Sequence, residues 1–565
     1  HHRPLVEHQE VRVAQDRLLV DQELRLVDVL EAQLELGDAR HCETALGRTH
    51  ARQVAPERRR HPAALARDER LGRLHTVAAV AAVDRHVAEE ALALIDIDWE
   101  ELPFVIDLEE ALEAGAPKIW PEGNLGLDFR NEARPMTRSV GDIAAGFRAA
   151  DRVFEDRYTT AFVQDAQMEP RSALAEWHGD KVTIHTPTQG ISNCRHDNAR
   201  DLGLEDHQVQ IVCKYMGGGF GDKNGSYYFD LIAAALAKEA DAPVLLELTR
   251  KDDWLGTHGR WHTVQDFKVG VQQDGTVTAI QQTGYSGMGP YLRRSGGISG
   301  IEAYACPNSE RVIYPVHTNR MVSGNFRAPS DPQGYFSIQS MMDDIAYEIG
   351  MDPVDFAKKN MLRPTEDVRF TNYMLEDCID RGVELFDWQS RRRVEPGSDA
   401  GRIKRGAGFS FMMFRSGVGP SSAIVRVDSQ EQYTLFVGVT DIGPGAKTTM
   451  ALIAAEELGV PLSEVEVVWG DTDRCPYSVG ESGSRTTTQT GYAVVQAAKD
   501  LKALSSKYRA NSLESIPKPN RVSATISSSS GTRARSLFAS VLRTKSGSPG
   551  VLRAPEETSS TPSFQ

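Results

Sequence analysis

Gly217-Gly218-Gly219-Phe220-Gly221-Asp222-Lys223 is the stretch of this 565-residue chain best built to hold a ligand. Four glycines let backbone amides come close to an anion or a ring, because no Cβ stands between. The spacing is not that of a P-loop, GxxxxGK[ST], and Phe220 is too bulky for the pyrophosphate turn of a GxGxxG fingerprint. A glycine turn without a ligand is the plainer alternative. Four further stretches carry related chemistry: Thr186-Pro187-Thr188-Gln189; Asn325-Phe326-Arg327-Ala328-Pro329-Ser330-Asp331-Pro332-Gln333; Asp441-Ile442-Gly443-Pro444-Gly445; and Gly480-Glu481-Ser482-Gly483-Ser484-Arg485-Thr486-Thr487-Thr488. Taken alone, each has an ordinary explanation: a capping Gln, an Arg in a surface loop, a glycine turn. Helix capping accounts for one or two hydroxyls of the last stretch, but not for so many. Together they make three glycine- or hydroxyl-rich helix starts, an arginine loop and a polar glutamine. That set suits a large phosphorylated cofactor gripped from several sides.

The elements that must carry these stretches follow from periodicity. Apolar spacing predicts helices over 87–94, 230–239, 340–349, 353–361, 448–458 and 491–504, with Pro353 suited to a first helical turn. Alternation and β-branched runs predict strands over 95–99, 182–185, 209–214, 243–248, 423–427, 432–437 and 465–469. Gln273-Asp274-Gly275 has hairpin-turn chemistry between strands 267–271 and 277–282. Helices and strands interleave without a strict βαβ rhythm, so the expected fold class is α+β with mixed sheets.

The length allows several domains, and the 40% apolar and 25% charged fractions are ordinary for a soluble globular protein. A formal net charge of −15 speaks against a nucleic-acid or anionic-membrane partner. No run of eighteen apolar residues suggests a membrane span. Cys42, Cys194, Cys213, Cys306, Cys378 and Cys475 are scattered, with no CxxC pair. Neither a disulfide framework nor thiolate ligation of zinc or iron–sulfur clusters is therefore expected; reduced thiols in a cytoplasmic protein are. Any electron-transfer centre that serves this chain belongs on another polypeptide.

Both ends differ in composition from the middle. Residues 1–75 contain no Lys, Ile, Phe, Tyr, Trp, Met, Asn or Ser. Either they are a charged extension, with amphipathic spacing at 24–36, or they stem from a wrong reading frame. After Ser505 the chain turns rich in Ser, Thr, Arg and Pro and contains no Asp, so 506–565 is expected to be a disordered tail.

The middle resembles a known family. Gln164-Asp165-Ala166-Gln167-Met168-Glu169-Pro170, the Gln189 stretch, the Gly217 loop, Phe326–Gly334, Asp441–Gly445 and Gly483–Gly491 are similar, in order, to motifs of the large subunits of xanthine dehydrogenase, aldehyde oxidase and their relatives. The resemblance covers about 71–505. It implies the mixed-sheet molybdopterin-binding large-subunit fold, incomplete here. The remnant of a small N-terminal α/β hammerhead domain would occupy 76–115, a first molybdopterin-binding domain 130–365 and part of a second 405–505, with 1–75 and 506–565 outside the family. It implies a molybdopterin cofactor, in its cytosine dinucleotide form, with molybdenum held by the cofactor's dithiolene and not by protein side chains. Gln189 and Arg327 become the candidate catalytic residues. Gln189, Gly218, Gly219, Phe220, Gly221 and Arg327 would lie against the molybdenum end of the cofactor. Gly443, Gly445, Ala446, Gly483, Ser484 and Thr486 would lie against the pterin and its phosphates. The implied reaction hydroxylates an electron-poor carbon with oxygen from water. Electrons then leave through a 2Fe-2S subunit and an FAD subunit.

Three departures qualify the resemblance. The family's general base is a Glu far toward the C-terminus, beyond the stretch that stays in register, and Glu481 sits in a pterin-binding loop instead. Without such a base the rate should fall by about 10²–10⁴-fold. Pro444 stands where the family has a Gln, which removes a side-chain donor and an amide donor. Asn224 stands where purine-oxidising members carry a substrate-binding Glu, and Pro329 where they carry a ring-stacking Phe. Ala328 stands where carbon monoxide dehydrogenases carry a copper-binding Cys. These two substrate-site residues, Asn224 and Pro329, disfavour xanthine and leave aldehydes, N-heteroaromatics and aromatic thioesters. An inactive fragment of such a subunit, or a nucleotide-binding protein using 217–221, are the alternative readings.

Overall fold

The computed structural model describes residues 78–511, except 98, 128–131, 292–295, 367, 369, 371 and 393–398, and the backbone of 521–528; side-chain surroundings are described as far as 505. The expectations for 1–75 lie outside the described residues. In chain order the helices are α1 (Arg85–Ala93), α2 (Ile143–Arg148), α3 (Ile191–Leu202), α4 (Tyr228–Ala240), α5 (Arg250–Gly256), α6 (Asp331–Glu348), α7 (Pro353–Asn360), α8 (Leu375–Phe386), α9 (Trp388–Arg391), α10 (Ala446–Leu458) and α11 (Gly491–Asn511).

Three sheets organise the chain, each with its own helical cover, and the class is α+β as expected. The first runs β1 (Met136–Val140), β11 (Ser309–His317), β10 (Val277–Gly289), β9 (Thr263–Val271) and β2 (Arg152–Thr160). Its inward residues Phe267, Val269 and Ile280 meet Ile338, Met341 and Ile345 of α6 and Phe356 of α7. The second runs β6 (Val209–Val212), β5 (Lys181–His185), β4 (Ser172–His178) and β7 (Val244–Glu247). Ala173, Ile184 and Ile211 on its inner face pack against Ile191 of α3 and Phe229 of α4. The third runs β14 (Val465–Val468), β13 (Tyr433–Val437), β12 (Ser421–Asp428) and β15 (Arg521–Ser528), with Val425 and Leu435 under Met450 of α10 and Val494 of α11. A short pair, β3 (Val163–Gln164) with β8 (Gly259–Arg260), lies between the first two sheets in the chain.

Four expectations need correction. The strand expected at 95–99 is irregular at Ile95, Ile97 and Trp99, with 98 outside the described residues; no described strand runs beside it to complete a ladder. β10 extends to Gly289, well past the predicted end at 282. Gly284, Gly287 and Gly289 interrupt the apolar pattern, yet a Cβ on Gly284 would meet Ile298 and Ile313 at 2.8 Å, so glycine is what lets the strand continue there. α6 begins at Asp331 and not near 340, because Pro332 fits a first turn and Gly334 lets the helix lie directly on the backbone of Ser299. Within the tail expected to be disordered, β15 pairs antiparallel with β12, from Ser421 opposite Ser528 to Asp428 opposite Arg521. Val522, Thr525 and Ile526 are β-branched, and without them the β12 edge would present unpaired amides and carbonyls.

Candidate functional site

Gln189 follows β5 and stands at the centre of the loops that the sequence singled out. Its side chain is 2% exposed and is held at both ends. Nε2 donates to the carbonyl of Glu481 at 2.6 Å, and Oε1 accepts from the amide of Gly221 at 2.7 Å. The backbone is fixed too: its amide donates to the carbonyl of Lys223, and its carbonyl accepts from the amide of Glu481, both at 2.7 Å. A Cβ on Gly219 would stand 2.6 Å from Oε1, and one on Gly480 would stand 2.6 Å from the carbonyl oxygen. Gly219 thus clears the space beside the side-chain amide, and Gly480 the space beside the backbone carbonyl.

The Gly217 loop leaves β6 and reaches α4 only at Tyr228, so it is a free-standing loop and not a helix start. Its Phe220 has a left-handed backbone, φ 49°, and an exposed ring. The Phe220 carbonyl accepts from the amide of Arg327 at 2.6 Å, joining the glycine loop to the arginine loop. A Cβ on Gly221 would lie 3.0 Å from the carbonyl of Asn325, so the two loops touch along several residues. Ala328 at φ 56° and Ser330 at φ 70° are also left-handed. So is Ser484 at φ 57° in the fifth stretch, whose neighbour Gly483 accepts from Gly417 at 2.5 Å. Non-glycine residues in this region cost on the order of 1–3 kcal/mol each and persist only where their surroundings impose them.

What imposes them is a set of buried arginines that sequence reasoning passed over. Arg171 donates to the carbonyl of Asp222 at 2.9 Å, pairs with the Asp222 carboxylate and bonds Asp253 at 2.6 Å. Arg260 donates to the carbonyls of Arg327 at 2.5 Å and Ala328 at 3.2 Å, and to Oε1 of Gln333 at 3.2 Å. Arg485 donates to the carbonyls of Gly480, Gly419 and Pro420 at 2.9, 2.6 and 3.1 Å. Each guanidinium therefore holds main-chain oxygens of a loop that contains a left-handed non-glycine residue. The one signal available in the sequence was position, since Arg171 directly follows the 164–170 stretch and Arg485 lies within 480–488.

The carboxylates divide into roles. Glu169 accepts from the amide of Gly217 at 2.8 Å and from Lys223 at 2.6 Å, bracing the start of the glycine loop. Asp165 is fully buried, and neither carboxylate oxygen has a hydrogen-bond partner among the described residues. Burial, reinforced by the nearby charge of Asp222, pushes it up to about 9, so it holds its proton at neutral pH. Glu481 is 4% exposed; burial and then Asp441 push it up to about 8. At that value Glu481 is mostly protonated near pH 7.

The Asp441 loop is drawn inward on itself. Asp441 Oδ1 accepts from the amides of Gly443 at 3.1 Å and Gly445 at 3.0 Å, and Pro444 has no amide proton. Ala446 and Lys447 begin α10, so the donors directed outward are those of the helix start. A Cβ on Gly443 or Gly445 would meet nothing within 4 Å, so their outer face is open. Thr486 opens a π-helical turn, Thr486–Thr490, that runs into α11. Asn224 is half-buried, with Oδ1 3.8 Å from a Cβ built on Gly190, and Pro329 is exposed at the outer edge of the arginine loop.

The expected site residues are thus brought together. The Gln189, Gly217, Arg327 and Gly480 stretches are joined by direct hydrogen bonds, and Asp441 lies close enough to Glu481 to influence its charge. The arrangement fits an anionic, ring-bearing cofactor: an open face at Gly443 and Gly445, an exposed Phe220 ring, and Arg327 at the surface. No helix among the described residues is long and apolar enough to cross a membrane.

Two molybdopterin cofactor-binding domain models match, one over residues 128–361 and the other over 381–545. The chain is 31% identical over 448 residues to the xanthine dehydrogenase molybdenum-binding subunit of Escherichia coli O157:H7, which spans 75% of this chain and 58% of that protein. It is 31% identical over 371 residues to the aldehyde oxidoreductase molybdenum-binding subunit PaoC of Escherichia coli K12, spanning 64% of this chain and 50% of that protein. Among solved structures, the aldehyde oxidoreductase of Desulfovibrio gigas superposes with a TM-score of 0.71 at 25% identity, over 79% of this chain and 51% of that one. The chain spans between half and three fifths of the length of these relatives.

Proposed function

Because the chain belongs to the family of molybdopterin-binding large subunits of xanthine dehydrogenases and aldehyde oxidoreductases, we propose that it holds the molybdenum cofactor of a cytoplasmic hydroxylase. The reaction converts a substrate C–H and water into C–OH, two protons and two electrons. The cofactor, taken as molybdopterin cytosine dinucleotide, supplies the two-electron chemistry when bound. The electrons pass to iron–sulfur and FAD partner subunits. One observation carries the reading: a buried glutamine amide held between the Gly217 loop and the Gly480 stretch, with the arginine loop bonded to Phe220 next to it.

The chain's own residues orient and exclude. Gln189 Nε2 has a second proton beyond the one given to Glu481, and it is the donor available to an oxygen on the metal side. Phe220 and Gly221 present backbone next to it, and Arg327 adds a positive charge at the mouth. Gly443, Gly445, Ala446, Gly483, Ser484 and Thr486 form the wall for the pterin and phosphates. Asn224 offers the substrate an amide where a carboxylate would suit a purine, and Pro329 offers no ring for stacking. An aldehyde or an N-heteroaromatic or other aromatic substrate fits this better than xanthine.

The test is elemental and pterin analysis of the chain purified with its iron–sulfur and flavin partners. About one molybdenum per chain with a pterin signature, and ¹⁸O from labelled water in the hydroxylated product, are expected. Metal and pterin without turnover would point to an inactive fragment, and bound nucleotide without molybdenum to the nucleotide-binding alternative.

A further inference from the structure

Arg260 lies outside every stretch singled out for chemistry, yet it holds the loop that carries Arg327. It is 7% exposed, on the two-residue strand β8, and its planar head is pinned from three sides. One terminal nitrogen donates to the Arg327 carbonyl, and the other donates to the Ala328 carbonyl and the Gln333 side chain. The guanidinium also lies over the Phe326 ring, 4.5 Å from its centroid. Its partners are thus Phe326, Arg327 and Ala328 in the loop and Gln333 in the first turn of α6. Among the described residues no carboxylate lies within 4 Å of it. Its charge is directed at main-chain carbonyls, and its opposing acids, Asp165 and Asp331, act from further away.

The loop it grips is the one that needs gripping. Ala328 and Ser330 are both left-handed, a conformation that L residues leave unless held. Relaxation of Ala328 would swing the 327–328 peptide, free the Arg327 carbonyl from Arg260 and shift Arg327, whose amide donates to the Phe220 carbonyl at 2.6 Å. That bond sets the distance between the arginine loop and the glycine loop, and hence the site between Phe220, Gly221 and Gln189. A lysine in place of Arg260 keeps charge and stem but offers a point donor where a rigid fork is required.

We infer that Arg260 is a positioning residue for the molybdenum site, fixing Arg327 and Phe220 in register by clamping the 327–328 carbonyls. The inference rests on the proposed cofactor site for its catalytic consequence, while its structural half stands apart from that reading. Displacing a reacting group by about 1 Å is worth about 10²-fold in rate. Arg260→Lys should therefore lower kcat about 10–100-fold in the complete holoenzyme, with KM within about threefold and full molybdenum content. In cofactor-free chain, hydrogen exchange of the amides in 325–331 should speed up at least about tenfold in Arg260→Met, and by less in Arg260→Lys. Amides of the third sheet should keep their wild-type rates.

Unchanged exchange at 325–331 in both variants overturns the inference. So does acceleration throughout the chain, which would mark a general folding role, and so does altered exchange with unchanged kcat. If Arg260→Met fails to fold, Arg260→Lys answers alone. Failure of wild-type chain to take up molybdenum would sink the proposed function and leave the exchange result standing, so the two failures are told apart.

Discussion

Replacing Gln189 with Leu would strand the buried carbonyl of Glu481 and the half-buried amide of Gly221. An unsatisfied buried group costs about 1–3 kcal/mol, so Gln189→Leu should lose about 2–4 kcal/mol in urea unfolding, with or without cofactor. Asp165 gives a pH signature. Its folded pKa, about 9, lies above the ordinary carboxylate value of about 4, so the stability tied to its protonated form is complete below about pH 4 and is lost as pH rises toward 9. Asp165→Asn should flatten that decline, gaining stability over wild type at pH 8 more than at pH 5; parallel denaturation curves at both pH values would contradict it. Gln189 was legible because its stretch has the family order, and the glycines because a missing side chain is visible in a sequence. The arginine clamps were not. Arg is ordinarily a surface residue, and only the fold shows that 171, 260 and 485 are inside. The left-handed backbone at Phe220, Ala328, Ser330 and Ser484 was equally hidden, since none of these residue types announces it.

Helices and strands with strong periodicity were readable to within a few residues, as at α4, α7, α10 and β13. Where the reading failed, packing had overridden local pattern. β10 runs on through glycines because neighbouring side chains fill the space above them, and α6 starts early because its first turns lie on another segment's backbone. Gly334 tests the second case. A Cβ there would overlap the main chain of Ser299, which cannot rotate away as a side chain can. Gly334→Ala should therefore destabilise the protein by about 1–3 kcal/mol through overpacking, although alanine favours an isolated helix by about 1 kcal/mol. Thermal unfolding at or above the wild-type temperature would show that α6 is free to move off Ser299. β15 was missed for a further reason: its serines read as solvated chain, while its pairing depends on a β12 edge some hundred residues away.

The second and third sheets are joined by a seam made mostly of main chain. Asp471 forms a bridge with Val212 at the edge of β6. Cys213 donates to Gly470 at 2.8 Å, Thr472 to Ile211 at 3.1 Å and Asn193 to Val479 at 3.0 Å. Lys181 pairs with Asp473 across the same line. Arg402, Lys404 and Arg405 are exposed and outside regular elements, between the two halves in the chain. Limited trypsin should cut there, and the two pieces should elute together on gel filtration until denaturant is added; separate elution would mean that the seam is weaker than its hydrogen bonds imply. The Gln189 lock crosses this seam, with Gly219 bare beside its side-chain amide on one side and Gly480 bare beside its backbone carbonyl on the other. A side chain at 219 evicts the amide, and without the amide that wall has no reason to stay bare; a side chain at 480 meets the main chain of 189 and 190 instead, whatever residue stands at 189. Positions 189 and 219 therefore form a single unit of inheritance: in any lineage of this chain, a residue larger than glycine at 219 should be found only where 189 has ceased to be glutamine, whereas 480 should stay glycine whatever side chain 189 carries.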